Sequence, residues 1–330
     1  NKTVKGFDVT TTNSLITVAN KKTISATPNA EEQYTLKLTF VNYEGDQTAN
    51  ATSTLSAKVM IQKEPMVNSL ASYITNLYTG TQGENGIYYH DANLTNGAND
   101  NSYRFAGASD AVNNYVCFGS TQSPCPADNL YRIIGVFGDQ VKLIKSDYAT
   151  TALLGVDGDY SKMYTANNYN NSAYKGNNLA NVAAYNWNKS NQNTWSLSNL
   201  NKTNLNTNFI TNIGADWANK IDMTTWKVGG NTGDNIYDKP AKTAYQNELV
   251  TPFSNTTYDA KIGLMYASDY GFAAAPSAWT TILNNYDGEA IKNVNWMYMG
   301  LYEWTISRYA GGSGAAFSVT CTGSVGNGPV

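Results

Sequence analysis

At 330 residues the chain has room for two hydrophobic cores, and its 42% hydrophobic residues include no unbroken apolar run of membrane-spanning length. A formal net charge of −3 with only 14% charged residues excludes an electrostatic nucleic-acid binder, which needs a basic face for the phosphates. Asn, Thr, Ser, Gly and 24 Tyr fill the polar surface instead, the usage of extracellular contact surfaces built from rigid aromatics and adaptable amides. No signal peptide opens the sequence, so an export signal is expected to have been removed or to lie upstream of Asn1.

Residues 1–63 alternate with period two. Leu36, Leu38 and Phe40 share one face of a strand, and Leu55, Ala57, Val59 and Ile61 share one face of another. Turn signals stand at Gly45-Asp46 and Asn20-Lys21. The segment predicts a small antiparallel β-sandwich, or part of one, with no cluster able to do chemistry. GFDVTTTNSLITVANKKTISA and YTLKLTFVNYEGDQTANATSTLSAKVMIQ resemble the second half of a bacterial surface domain of the TasA and camelysin type. The resemblance implies a sandwich that starts midway and lacks strands, and a subunit that joins copies of itself into fibres by strand exchange. An open sheet edge invites such pairing.

Pro65, Val67, Leu70, Ala71, Ile74 and Leu77 predict a linker helix within 64–80, stopped by Gly80. The polar loop after it holds the only histidine, His90, together with Asp91, Asn93, Asn96, Asp100 and Asn101. Asp91, Asn93 and Asp100 are candidate calcium ligands because Ca²⁺ takes carboxylate and amide oxygens, although EF-hand spacing is not met and Asx turns explain the same residues. No other cofactor is expected.

Cys117 and Cys125 bracket a loop stiffened by Pro124 and Pro126, and their short spacing predicts a local disulfide that leaves Cys321 free. The apolar runs 131–137 and 141–144 predict two strands joined at Gly138-Asp139. Residues 161–208 are dense in Asn, Tyr and Ser. Within and beyond them Trp195, Leu197, Leu200, Leu205, Phe209, Ile213, Trp217 and Ile221 recur at helical steps and predict one or two amphipathic helices. Further strands are expected at 226–230, at KIGLMY (261–266), at 296–302, at 304–306 and at 316–320. Gly311-Gly312-Ser313-Gly314 reads as a flexible tip.

NNYVCFG, NLYRIIGVF, VKLIKS, KIGLMYASDYGFA, NWMYMGLYEWTISR and FSVTCTGSV resemble, in this order, segments of large surface proteins of gut bacteria with a C-type-lectin-like domain. That fold is shared with formylglycine-generating enzymes. The resemblance implies an outward-facing ligand-binding domain over 81–330, and the aromatic-rich stretch Tyr302–Ala310 makes Tyr302, Trp304, Arg308 and Tyr309 candidate contacts. The family closes its sheet with a C-terminal strand that the ending Gly328-Pro329-Val330 does not match, so such a strand is expected to be trimmed or supplied from elsewhere.

Enzyme motifs are weak. A triad would have to use His90, no nucleophile elbow is present, and the carboxylates Asp269 and Glu303 have no spacing that fixes a glycosidase pair. The expected fold is thus mostly β with some α: an incomplete N-terminal antiparallel sandwich, a linker helix, and a C-terminal α+β lectin-like domain. The expected protein is not an enzyme. It is extracellular and at a bacterial surface, a fibre or biofilm-type filament subunit whose partners are its own copies. The alternative is a monomeric adhesin that recognises glycan or a surface protein.

Overall fold

The computed structural model describes residues 69–164, 182–189, 191–231 and 236–330. By internal contacts the chain divides into Asn1–Asn68 and Ser69–Val330, and every described residue belongs to the second unit. The expected sandwich, Pro65, Val67 and the densest polar run, 165–181, lie outside the described residues. Within them the protein is mixed α and β, as expected of the C-terminal part. All its sheets are antiparallel, and short helices occupy as much chain as strands. No helix among the described residues is long and apolar enough to cross a membrane.

The first helix, Leu70–Asn76, begins where Ser69 offers its hydroxyl to the Ser72 N–H, and it buries Ala71 and Ile74. Those two side chains join Ile87, Phe105, Ile133 and Val136 in one core. The central sheet is built on β4 (Leu130–Phe137), which pairs along its length with β5 (Gln140–Lys145). Elsewhere β4 is shared between β3 (Tyr115–Cys117) and β2 (Tyr103–Phe105), and β1 (Ile87–Tyr89) extends the sheet beyond β2. The β4–β5 turn falls at Gly138-Asp139 as the sequence predicts. Gly138, at φ +66°, supplies the positive φ that a two-residue hairpin needs at its first position. Cys117 and Cys125 are disulfide-bonded, and Cys321 is a half-buried free thiol.

Two small hairpin-like sheets follow, β6 (Tyr160–Tyr164) with β7 (Val182–Tyr185) and β8 (Thr224–Lys227) with β9 (Thr257–Ala260). The aromatic stripe between them is helical, in Trp195–Leu197, Leu200–Phe209, Ile210–Asn212 and Ala215–Ala218. Trp195, Leu200, Leu205, Phe209 and Ile213 are buried in a second core with Trp187 and Ile306. Leu197, expected on the same stripe, is exposed.

KIGLMY is not a strand. Asn206 takes the place of a neighbouring strand: its Oδ1 accepts from the Ile262 N–H at 3.0 Å and its Nδ2 donates to the Ile262 carbonyl at 2.9 Å. Residues 296–302 also turn rather than extend. They are held by the Trp296 indole on the Phe105 carbonyl (2.7 Å) and by Arg132 on the Trp296 carbonyl (3.4 Å). The last sheet is β10 (Glu303–Arg308), β11 (Ala315–Val319) and β12 (Val325–Pro329). The segment Val325–Pro329 is itself a strand, paired with β11 over five residues.

Candidate functional site

Four chain segments meet at one concave surface. The helical turn Trp195–Leu197 contributes Trp195 and its exposed neighbours Thr194 and Ser196. The start of β9 contributes Thr256 and Thr257, the end of β8 leads into Val228, and β10 ends at Arg308. The cleft between them measures about 200 Å³. That is smaller than the roughly 300–1,000 Å³ of pockets for drug-sized molecules, and it suits one small polar group.

Each wall is positioned by identifiable bonds. The Val228 N–H donates to the Thr256 carbonyl at 2.9 Å, tying the two strand ends together. Arg308 donates from Nη2 to the Gly229 carbonyl at 3.0 Å. That approach depends on glycine: a Cβ on Gly230, whose φ is +78°, would lie 2.6 Å from the Arg308 Cγ, and a Cβ on Gly229 would lie 1.6 Å from the Ser254 carbonyl oxygen. Buried Asn193, just before the Trp195 turn, extends Nδ2 to the carbonyls of Tyr309, Gly312 and Ala315 at 2.7–2.8 Å. The Gly311–Gly314 tip, expected to be flexible, is clamped by these bonds to the segment that carries the cleft.

Among the described residues the cleft is lined by four hydroxyl residues, one indole, one valine and one cation, with no carboxylate. Burial lowers the pKa of Arg308 from its usual value, because desolvation penalises its charge, and no acid pairs with it among the described residues.

The other ligand-contact candidates lie apart from this surface. Trp304 is half-buried and donates its indole N–H to the Tyr185 carbonyl at 2.9 Å. Tyr309 packs edge-on against Phe317. Tyr302 is exposed, and none of the three lines the cleft.

The calcium candidates are engaged with their own chain. Asp91 Oδ1 accepts from the N–H groups of Asn93 and Leu94, and Asn93 Nδ2 donates to Asp91 Oδ2. Asp100 accepts from the Ser102 hydroxyl at 2.6 Å and from Arg104 at 2.7 Å. Burial raises the Asp100 carboxyl, but Arg104 and Ser102 outweigh it and leave the pKa below the usual carboxylate range. No group of three His, Cys, Asp or Glu residues converges among the described residues.

His90 is fully buried between Phe272 and Trp279, with Nδ1 accepting from the Ala98 N–H at 3.0 Å. Desolvation, then the nearby Arg104 charge, hold it well below its usual pKa, so it is a neutral core ring.

Asp269 caps the helix Ala267–Ala273 and binds Lys142 at 2.5 Å and Arg104 at 3.4 Å. Burial pushes Glu303 up to about 8, and its Oε1 is sealed without a partner among the described residues. These two carboxylates have separate roles, and neither lines the cleft.

A third acid escaped the sequence reading. Glu248 accepts from the Ala267 and Ser268 N–H groups at 2.9 and 3.1 Å and from the Ser307 hydroxyl. Burial pushes it up to about 7 against the downward pull of the two serines. The gap beside it, bounded by Lys227, Tyr266 and Ile306, has no room for a water-sized group, so the acid serves the helix start.

Nothing in the sequence marked Thr194, Ser196, Thr256 or Thr257. In a chain this rich in Ser and Thr their types are ordinary, and only their convergence singles them out. No protein-family model, curated protein or solved structure matches the chain.

Proposed function

We propose that the protein is an extracellular, non-enzymatic binding protein that holds a single sugar unit of a glycan in the Trp195–Arg308 cleft. The observation that carries the reading is the lining: Thr194, Ser196, Thr256 and Thr257 border a small concavity that, among the described residues, holds no acid or base suited to proton transfer. Hydroxyl and guanidinium groups match the donor-and-acceptor pattern of a sugar. The disulfide agrees with an oxidising compartment, and the lectin-like resemblance of the C-terminal segments agrees with an outward-facing module. The test is a glycan array probed with the full chain and with Ser196→Trp, which places bulk at the mouth of the cleft. Retention of glycans by the parent protein and their loss in a normally melting variant is the expected result. A blank array, or binding indifferent to Ser196→Trp, rejects the reading.

Strand-exchange assembly of the protein into surface fibres is a second proposal. It is favoured by the apolar alternation of Leu36, Leu38, Phe40, Leu55, Val59 and Ile61 in the sequence. Negative-stain microscopy showing only single particles at high protein concentration would reject it.

A further inference from the structure

We propose that the cleft selects a carboxylated sugar, a uronic or other sugar acid, and that Arg308 is the residue that sets this preference. The inference rests on the carbohydrate reading above and adds the charge of the ligand.

Arg308 is the sole charged residue of the lining among the described residues. Of its five N–H donors, one is committed to the Gly229 carbonyl, and the others have no acceptor among the described residues. Among the described residues this half-buried guanidinium has no counter-ion, and a ligand anion is a group that completes it. One bond to a backbone carbonyl, together with the close passage over Gly230, fixes the planar fork before any ligand arrives. A preset fork loses little freedom on pairing, and its geometry matches the two oxygens of a carboxylate.

The charge count decides among anions. Phosphate carries more charge and is held by several cations or by a run of backbone N–H groups. Among the described residues of the lining there is one cation. The nearest lysine in sequence to the cleft wall, Lys227, has its ammonium turned to the Leu249 carbonyl. A single positive charge among four hydroxyl residues suits a single carboxylate on a polyhydroxyl ring.

The experiment compares matched pairs that differ only at the terminal carbon, glucose with glucuronate and galactose with galacturonate, with glucose 6-sulfate as a third anion. Binding is followed by titration calorimetry or saturation-transfer NMR on the full chain and on Arg308→Met, whose melting temperature is checked first. A charge-assisted pair predicts about tenfold or greater preference for at least one uronate over its neutral partner. In Arg308→Met the affinity ratio within each pair collapses toward one, whatever the change in overall affinity, and in the parent the ratio falls as salt rises.

Equal affinity within both pairs overturns the inference and leaves the carbohydrate reading standing. A preference that survives Arg308→Met overturns the role of Arg308, and tighter binding of the sulfate than of either uronate overturns the carboxylate. Glycan-array binding without any uronate binding overturns the inference alone, whereas a blank array together with no monosaccharide binding removes both.

Discussion

Arg104→Met should be among the most damaging substitutions outside the cleft. The guanidinium is 1% exposed and bonds to Asp100 at 2.7 Å, to the Ser102 hydroxyl at 2.8 Å and to Asp269 at 3.4 Å. Its flat faces lie over Phe137 at 4.7 Å, Phe272 at 5.1 Å and Tyr245 at 5.3 Å. Methionine keeps much of the volume but leaves Asp100 without its cation, while Asp269 retains Lys142. Removing one partner of a buried pair costs about 3–5 kcal/mol, chiefly because the other charge stays buried and unpaired. For a unit of this size that is a drop of roughly 6–20 °C in melting temperature. Urea unfolding followed by circular dichroism measures it directly.

The double variant Arg104→Met/Asp100→Asn removes the stranded charge and should recover about half of the loss. The acid limb gives a separate check. Asp100 has a lowered folded pKa, so its contribution is present above the unfolded carboxylate pKa and is lost as pH falls through the folded one. Arg104→Met should flatten that limb. A loss below about 1 kcal/mol, or a double variant weaker than the single one, would refute the buried-network account.

Glu303→Gln tests the opposite sign. Its folded pKa of about 8 stands above the ordinary 4.5, so its contribution is full below 4.5 and fades across the window from there to 8. The glutamine variant should lose part of that decline, on the order of 5 kcal/mol at the ceiling, with Glu248 sustaining the remainder; an unchanged stability–pH curve would count against it. Gly230→Ala should cost about 1–3 kcal/mol from the positive φ and displace Arg308, so that glycan binding falls more than stability does. Asn193→Ala removes the side-chain amide from the Tyr309, Gly312 and Ala315 carbonyls, of which Ala315 keeps the Tyr309 N–H, and should cost roughly 1–3 kcal/mol, with faster amide exchange in that hairpin as the specific readout. Cys117→Ser/Cys125→Ser should cost about 2–3 kcal/mol by loosening the unfolded chain, measured as a lower denaturation midpoint than the oxidised parent.

Local patterns in the sequence determined the β4–β5 hairpin, the Cys117–Cys125 bond and the helical stripe from Trp195, because each depends on neighbours in the chain: a glycine at a turn, a short cysteine spacing, an apolar period. Where tertiary bonds compete with local preference, the pattern misled. KIGLMY has the composition of a buried strand, but the Asn206 amide, brought from a helix, takes the backbone groups a neighbouring strand would have taken. The glycine-rich 311–314 segment has the composition of a loose tip, but Asn193 holds it through three carbonyls. Arg308 was legible as a contact candidate, but its partners in the cleft were not. Thr194, Val228 and Thr256 stand far from it in the chain, and no periodicity links positions that only folding brings together. Only the tertiary structure decided that Arg308 shares a cleft with Thr194, Ser196, Thr256 and Thr257 and, among the described residues, with no carboxylate, since a side chain's surroundings are set by what packs against it and not by what precedes it.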